Sequence, residues 1–405
     1  MNNTPSSYLR RFGWIAAILA LMLVGCGGSS NSSPDPEDPD QPNTPDGSDN
    51  QTNDSDSVAA VGWVPVGEPI STGRLASNRT RLLTDGGGEI YSVYVNFENS
   101  RLRVSHLGNN GEWDTNIGKG MGASQYGRAS PAVAAGSNGL TLGYLTELST
   151  NTLEINSYTA NGFGTAEAVA LAEHALSYAA AASEADTRYI AMADWQHNIR
   201  IWKSEGTSLN PTYIEGPLNI KQAFWDLAIA NSQPHLAYLD TADAIKVVRH
   251  TAGGWQEVAS INIDSTNNVS LGLASGGDKL YLKVQRQLDD GYKISVYDLT
   301  TTTPTALPML LSGESWVDYA ELHVNESGTP MVAWVQGARG PTAERELYFA
   351  RHSAQGWVKI GGGYIDGFNN SSAYRVSSAL IDNIPHVQFQ PWDTTQLIVM
   401  RHDEE

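Results

Sequence analysis

Apolar and polar residues alternate with a period of two over most of this 405-residue chain. They do so in short runs bounded by glycine, asparagine, aspartate and proline, the pattern of half-buried β-strands joined by tight turns. The runs recur in one order: a strand of small residues, a turn, a strand with a large central side chain, a third strand, then a fourth introduced by Gly-Trp or Gly-x-Trp. The second strands read IYSVYV, LTLGYL, YIAMAD, HLAYLD, LYLKVQ, MVAWVQ and HVQFQP, centred on Tyr94, Tyr144, Met192, Tyr238, Lys283, Trp334 and Phe389. Third strands follow at 102–107, 153–158, 199–203, 245–250, 293–298, 347–352 and 397–402. A helical period appears only weakly, in the alanine-rich stretch 166–172.

Neighbouring centres lie about 45 to 55 residues apart, the length of one four-stranded blade. Seven such repeats predict an all-β chain, folded over residues 59–405 as a seven-bladed β-propeller. The ends of the repeat region complete each other. Repeat six closes with Gly356-Trp357-Val358-Lys359-Ile360-Gly361, whereas repeat seven stops at Arg401-His402-Asp403 without such a strand. A matching piece, Gly62-Trp63-Val64-Pro65-Val66-Gly67, stands ahead of the first repeat. It is expected to supply the outer strand of the last blade, closing the ring and removing an open edge that invites aggregation. Turns such as Asn325-Glu326-Ser327-Gly328-Thr329-Pro330, before a second strand, resemble those of sialidase-like, BNR-type bacterial propellers. The resemblance implies the same ring fold, but the Ser-x-Asp-x-Gly-x-Thr-Trp Asp-box of that family occurs in no repeat.

Ahead of the repeats the pattern changes. Arg10 and Arg11 precede an apolar run, 12–24, shorter than the roughly 20 residues a membrane span needs and of signal-peptide length. The run ends in Leu23-Val24-Gly25-Cys26, which resembles the lipobox of bacterial lipoproteins. That resemblance implies a signal peptide over 1–25, a diacylglycerol on the Cys26 thiol, and attachment to a membrane through the lipid anchor alone. Gly27 stands where Asp commonly marks inner-membrane retention in Gram-negative lipoproteins, which implies the outer membrane, with the body in the periplasm or at the surface. Cys26 is the sole cysteine, so the fold has no internal disulfide and rests on its core. Residues 26–58 carry eight carboxylates and no Lys or Arg among Ser, Asn, Pro, Thr and Gly, and read as a flexible, solvated tether.

The formal net charge of −19 argues against nucleic acid and against docking on anionic lipid by a basic face. A monomer is expected. No His-x-x-x-His, Glu-x-x-His or Gly-x-Ser-x-Gly spacing occurs, and Asp289-Asp290-Gly291 reads as a turn, so neither metal nor cofactor is expected. Residues that recur at one blade position are architectural: His106, His250, His352 and His402 near the ends of third strands, His235 and His386 after proline, and Trp113, Trp255 and Trp357 as blade core.

Better site candidates stand where the repeats diverge. Aligning the starts of the inner strands gives the column Arg81, Pro131, Tyr178, Asp226, Ser270, Tyr319 and Arg375, on the face where propellers bind ligands. Arginine offers a forked donor for carboxylates, and tyrosine a stacking face with a hydroxyl. Loops between second and third strands add Trp195, His197, Arg339, Arg345 and Trp392. Two classes of function follow. One is a binding or scaffold module for a glycan or partner protein at the channel mouth, with Arg81 and Arg375 on adjacent blades taking an anionic group. The other is a polysaccharide-degrading enzyme. It would resemble propeller-fold lyases, in which Tyr or His takes a proton and Arg neutralises the uronate, or a sialidase-like hydrolase with three arginines and a Tyr–Glu pair. The binding module is the favoured reading.

Overall fold

The computed structural model describes residues 61–403 apart from 76–79, 97–100, 121–130, 146–151, 171–174, 195–197, 206–211, 264–267, 338–344, 367–375, 392–393 and some single positions and pairs. These residues form seven small antiparallel sheets, the blades of a seven-bladed β-propeller, and no helix occurs among them. The inner strands are Arg81–Thr84, Ala132–Gly136, Ala175–Glu184, Ile220–Ala230, Ser270–Gly276, Trp316–Val324 and Ser377–Ile381, and each lies against the next around a closed ring. Each second strand carries the large central residue that the repeat pattern predicts, and those seven central residues are all buried. The alanine-rich stretch is strand, not helix: Glu167–Ala170 pairs with Thr152–Thr159 at the outside of blade two.

The closing strand is in place. Trp63–Pro65 pairs antiparallel with Gln396–His402, and Ile70–Ser71 pairs with the start of the same strand. The register repeats that of the intact blades. His402 stands opposite Trp63 as His250 does opposite Trp255 and His352 opposite Trp357. In all three blades the rings meet edge to face, with centroids 5.4, 5.0 and 5.2 Å apart. Two-residue hairpins join inner to second strand in blades four and seven, with left-handed backbone at both Asn231 and Ser232, and at both Asp382 and Asn383.

The core is distributed. Seven hydrophobic clusters are built among the described residues, one at each junction, and each draws side chains from two neighbouring sheets. Each blade therefore buries its apolar faces against its two neighbours. One expectation needs correction here. Trp113, Trp255 and Trp357 are half-buried, not blade core, because they lie on outer strands whose far side is open. Their indole N–H groups reach backward, to Val66 O (3.3 Å), Glu215 O (2.7 Å) and Pro308 O (2.8 Å) of the preceding blade. They stitch the rim of one blade to the next.

Deleting the chain through Gly67 should therefore destabilise the propeller by about 2–5 kcal/mol, since it removes the closing ladder, buried Val66 and half-buried Trp63. Deletion through residue 58 should leave the melting temperature unchanged. Equal melting temperatures for the two truncations in thermal denaturation would show that Trp63–Pro65 does not close the ring.

Candidate functional site

No two inner strands share a ladder, so their edges toward the channel carry backbone groups without a strand partner. Side chains from neighbouring blades take that place. Ser377 Oγ of blade seven accepts from Leu82 N of blade one at 3.0 Å. Asp226 Oδ2 of blade four accepts from Leu273 N of blade five at 2.8 Å. Lys283 Nζ and Gln285 Nε2 of blade five donate to Ala320 O (2.8 Å) and Val317 O (3.0 Å) of blade six. Glu321 Oε2 of blade six accepts from Ser378 N of blade seven at 3.0 Å.

These strands enclose a cavity of about 700 Å³ on the ring axis. Its most polar wall lies on blades six, seven and one. Tyr319, Glu321 and His323 alternate along Trp316–Val324 and so share one face of the strand. Tyr319 donates its hydroxyl to Glu321 and contacts Ser378 Oγ at 3.0 Å. Ser378 Oγ donates to Glu321 Oε2 at 3.0 Å and lies 2.7 Å from His323 Nε2. Arg81 reaches past blade seven to within 3.7 Å of Glu321 Oε1. The Arg81 and Glu321 side chains are 31 % and 27 % exposed, so both face the cavity while the groups behind them are more enclosed.

Burial alone would raise the Glu321 carboxyl, but His323, Arg81 and hydrogen bonds from Tyr319 and Ser378 N–H outweigh it and hold it below the usual carboxylate range. Glu321 is ionised at neutral pH. Burial, then the charge of Glu321, pushes the Tyr319 phenol well above its ordinary value, so it stays a donor. Burial also lowers His323. Asp226 moves the other way from Glu321: burial raises it against hydrogen bonds from Leu273 and Leu227 N–H and the charges of Arg81 and Lys283.

The register corrects the column drawn from the sequence. The residues opposite the position before each second-strand centre are Arg81, Ala132, Ala180, Asp226, Leu273, Glu321 and Ser377. Arg81 and Asp226 stand at that level, whereas Pro131, Tyr178, Ser270 and Tyr319 lie one to three residues earlier on their strands. Bulges stand ahead of that level in blades three, four and six, yet Asp226 still falls on it, and Pro131 and Ser270 miss it in blades two and five, whose inner ladders are regular. Tyr319 is two residues before Glu321, on the same face and one layer along the axis.

Trp195, His197, Arg375 and Trp392 lie outside the described residues, as do Arg339 and Cys26, and the side chain of Tyr178 is likewise not described. Arg345 is not a rim donor. It is 9 % exposed and forms an ion pair with Asp318, the residue extruded by the blade-six bulge. Glu321, His323 and Ser378 were not singled out from the sequence, although Tyr-x-Glu-x-His at strand period is a visible signal. No group of three His, Cys, Asp or Glu side chains able to hold a metal occurs among the described residues.

No family model and no curated protein matches the sequence. Solved structures match this chain at low identity. The SapL1 lectin in complex with α-methyl fucoside is 12 % identical over 74 % of this chain and all of its own, with a TM-score of 0.46. A point mutant of the Aleuria aurantia lectin in complex with Fucalpha1-6GlcNAc is 12 % identical over 75 % of this chain and all of its own, with a TM-score of 0.46. The N-terminal domain of Nup159 is 7 % identical over 85 % of this chain and 96 % of its own, with a TM-score of 0.49. Such likeness identifies neither family nor ligand.

The two carboxylates make opposite demands. Asp226→Ala removes the acceptor of Leu273 N and should cost about 1–3 kcal/mol in urea denaturation. Asp226→Asn keeps an acceptor and removes a charge that burial penalises, so at neutral pH it should match or exceed the parent. An Asn variant as unstable as the Ala variant would show that the charge itself is needed.

Proposed function

We propose that the propeller is a glycan-binding module whose site is the central cavity and its mouth. The observation that carries this reading is the Arg81–Glu321 pair. A guanidinium and an ionised carboxylate stand side by side on an open cavity, and Tyr319 and Ser378 already hold the carboxylate in place. Sugar hydroxyls both donate and accept, and such a pair offers them one charged partner of each kind. The cavity volume falls in the range of small-ligand sites.

A second reading is supported by the Tyr319–Glu321 hydrogen bond: a hydrolase in which Tyr319 Oη bonds to the anomeric carbon as its proton passes to Glu321 and the glycosidic C–O bond breaks, the departing oxygen taking a proton from water and a further water then releasing the sugar from Tyr319. Titration of the full-length chain with an array of oligosaccharides, followed by chromatography of the bound ones, separates the two. Binding without new products is expected, and Tyr319→Phe should leave affinity within a few-fold. Turnover that disappears in Tyr319→Phe would establish the enzyme and displace the binding module.

The reading extends to placement. An exported chain lipidated on Cys26 and tethered by residues 27–58 would present this cavity outside the cytoplasm, at the outer membrane, with no need of a basic face. Cys26→Ser should then release the chain from washed membranes into the soluble fraction. A variant that stays membrane-bound after carbonate extraction would remove the lipid anchor from the picture.

A further inference from the structure

An arginine on a channel wall suggests an acidic ligand, and that is how Arg81 reads in the sequence. Its surroundings point elsewhere. The charged side chains lining the cavity among the described residues are Arg81, Asp226, Asp318 and Glu321. Asp318 is matched by Arg345, both nearly buried. Arg81 has Glu321 at 3.7 Å, and Glu321 is fixed by three further hydrogen bonds, so it cannot swing away from an incoming anion. The wall therefore offers no net positive charge. A carboxylate brought to Arg81 would sit beside an ionised Glu321, and like charges a few ångströms apart in a partly enclosed site repel strongly.

A hydroxyl meets the opposite situation. The 3.7 Å gap between Arg81 Nη1 and Glu321 Oε1 exceeds hydrogen-bond length. A single oxygen can thus lie within reach of both, accepting from the guanidinium while donating to the carboxylate. Two neighbouring hydroxyls can use the remaining N–H and lone-pair positions of the same two groups. Both bonds are charge-assisted, and neither requires the Glu321 network to rearrange.

Resting on the glycan reading above, we infer that the site selects uncharged sugars over acidic ones, holding a hydroxyl or vicinal diol between Arg81 and Glu321. Isothermal titration of the full-length chain compares two pairs that share a backbone and differ in charge: galactotriose with trigalacturonate, and lactose with 3′-sialyllactose, backed by an array of neutral and acidic glycans. The neutral member of a bound pair should bind at least about tenfold more tightly. Arg81→Ala should weaken the neutral sugar about tenfold or more, the usual consequence of losing a charge-assisted bond. Glu321→Gln keeps acceptors for Ser378 and Tyr319 but leaves Arg81 unneutralised, so it should weaken the neutral sugar and strengthen the acidic one. Tighter binding of the acidic member by the parent chain, or a Glu321→Gln variant with unchanged preference, would overturn the selectivity and leave glycan binding standing. Silence across the whole array from folded protein would overturn both.

Discussion

Seven short strands set side by side around a bore leave a row of inward backbone groups that no eighth strand can reach. Everything else in this propeller is arranged around that shortage. An unpaired buried N–H or C=O costs about 1–3 kcal/mol, and several stand around the ring. The chain answers with side chains borrowed from neighbouring blades: Ser377, Asp226, Lys283, Gln285 and Glu321 each bond the inner edge of the blade that follows. Charged groups thus line the axis for a structural reason, and the proposed site takes Glu321 from the side chains that keep the ring's inner wall satisfied.

The arrangement makes the ring cooperative. Each hydrophobic cluster belongs to two blades, the side-chain bonds to the inner edges cross junctions, and three outer-strand tryptophans cross junctions at the rim. Between blades five and six and between blades seven and one, inner wall, middle and rim are each joined by different chemistry. Glu321 shows how a buried charge is tolerated in such a place, because every hydrogen bond it accepts is one its neighbours need to give. Its fixed position then follows from the fold rather than from any ligand.

The architecture was legible in the sequence because it is written in repetition. Strand period, blade length and the displaced Gly62-Trp63 piece are each visible several times over, and the piece falls into the register of Trp255 and Trp357. The site was legible only in part. Arg81, Asp226 and Tyr319 do line the cavity, but the column that joined them assumed that inner strands count evenly. Pro131, Tyr178, Ser270 and Tyr319 instead stand up to three residues ahead of the common level, with a bulge in blades three and six and without one in blades two and five. Glu321, the residue on which Arg81 and Tyr319 converge, drops out of view because the column took one residue per blade and stopped at Tyr319, two residues earlier on the same face. The rim tryptophans were misplaced for another: their recurrence was plain, but recurrence does not say whether a side chain fills a core or ties an edge.

The closing strand also decides where a pull on the chain would be felt. Trp63–Pro65 is a ladder of only three residue pairs, reinforced by Val66 N to Val399 O, Asp403 N to Gly62 O and the Trp63–His402 ring contact. Force arriving from the N-terminal side meets the single Val61 N to Gly361 O bond and then this clasp. How long the propeller resists tension is then set by the rate at which one short clasp opens rather than by the summed stability of seven blades.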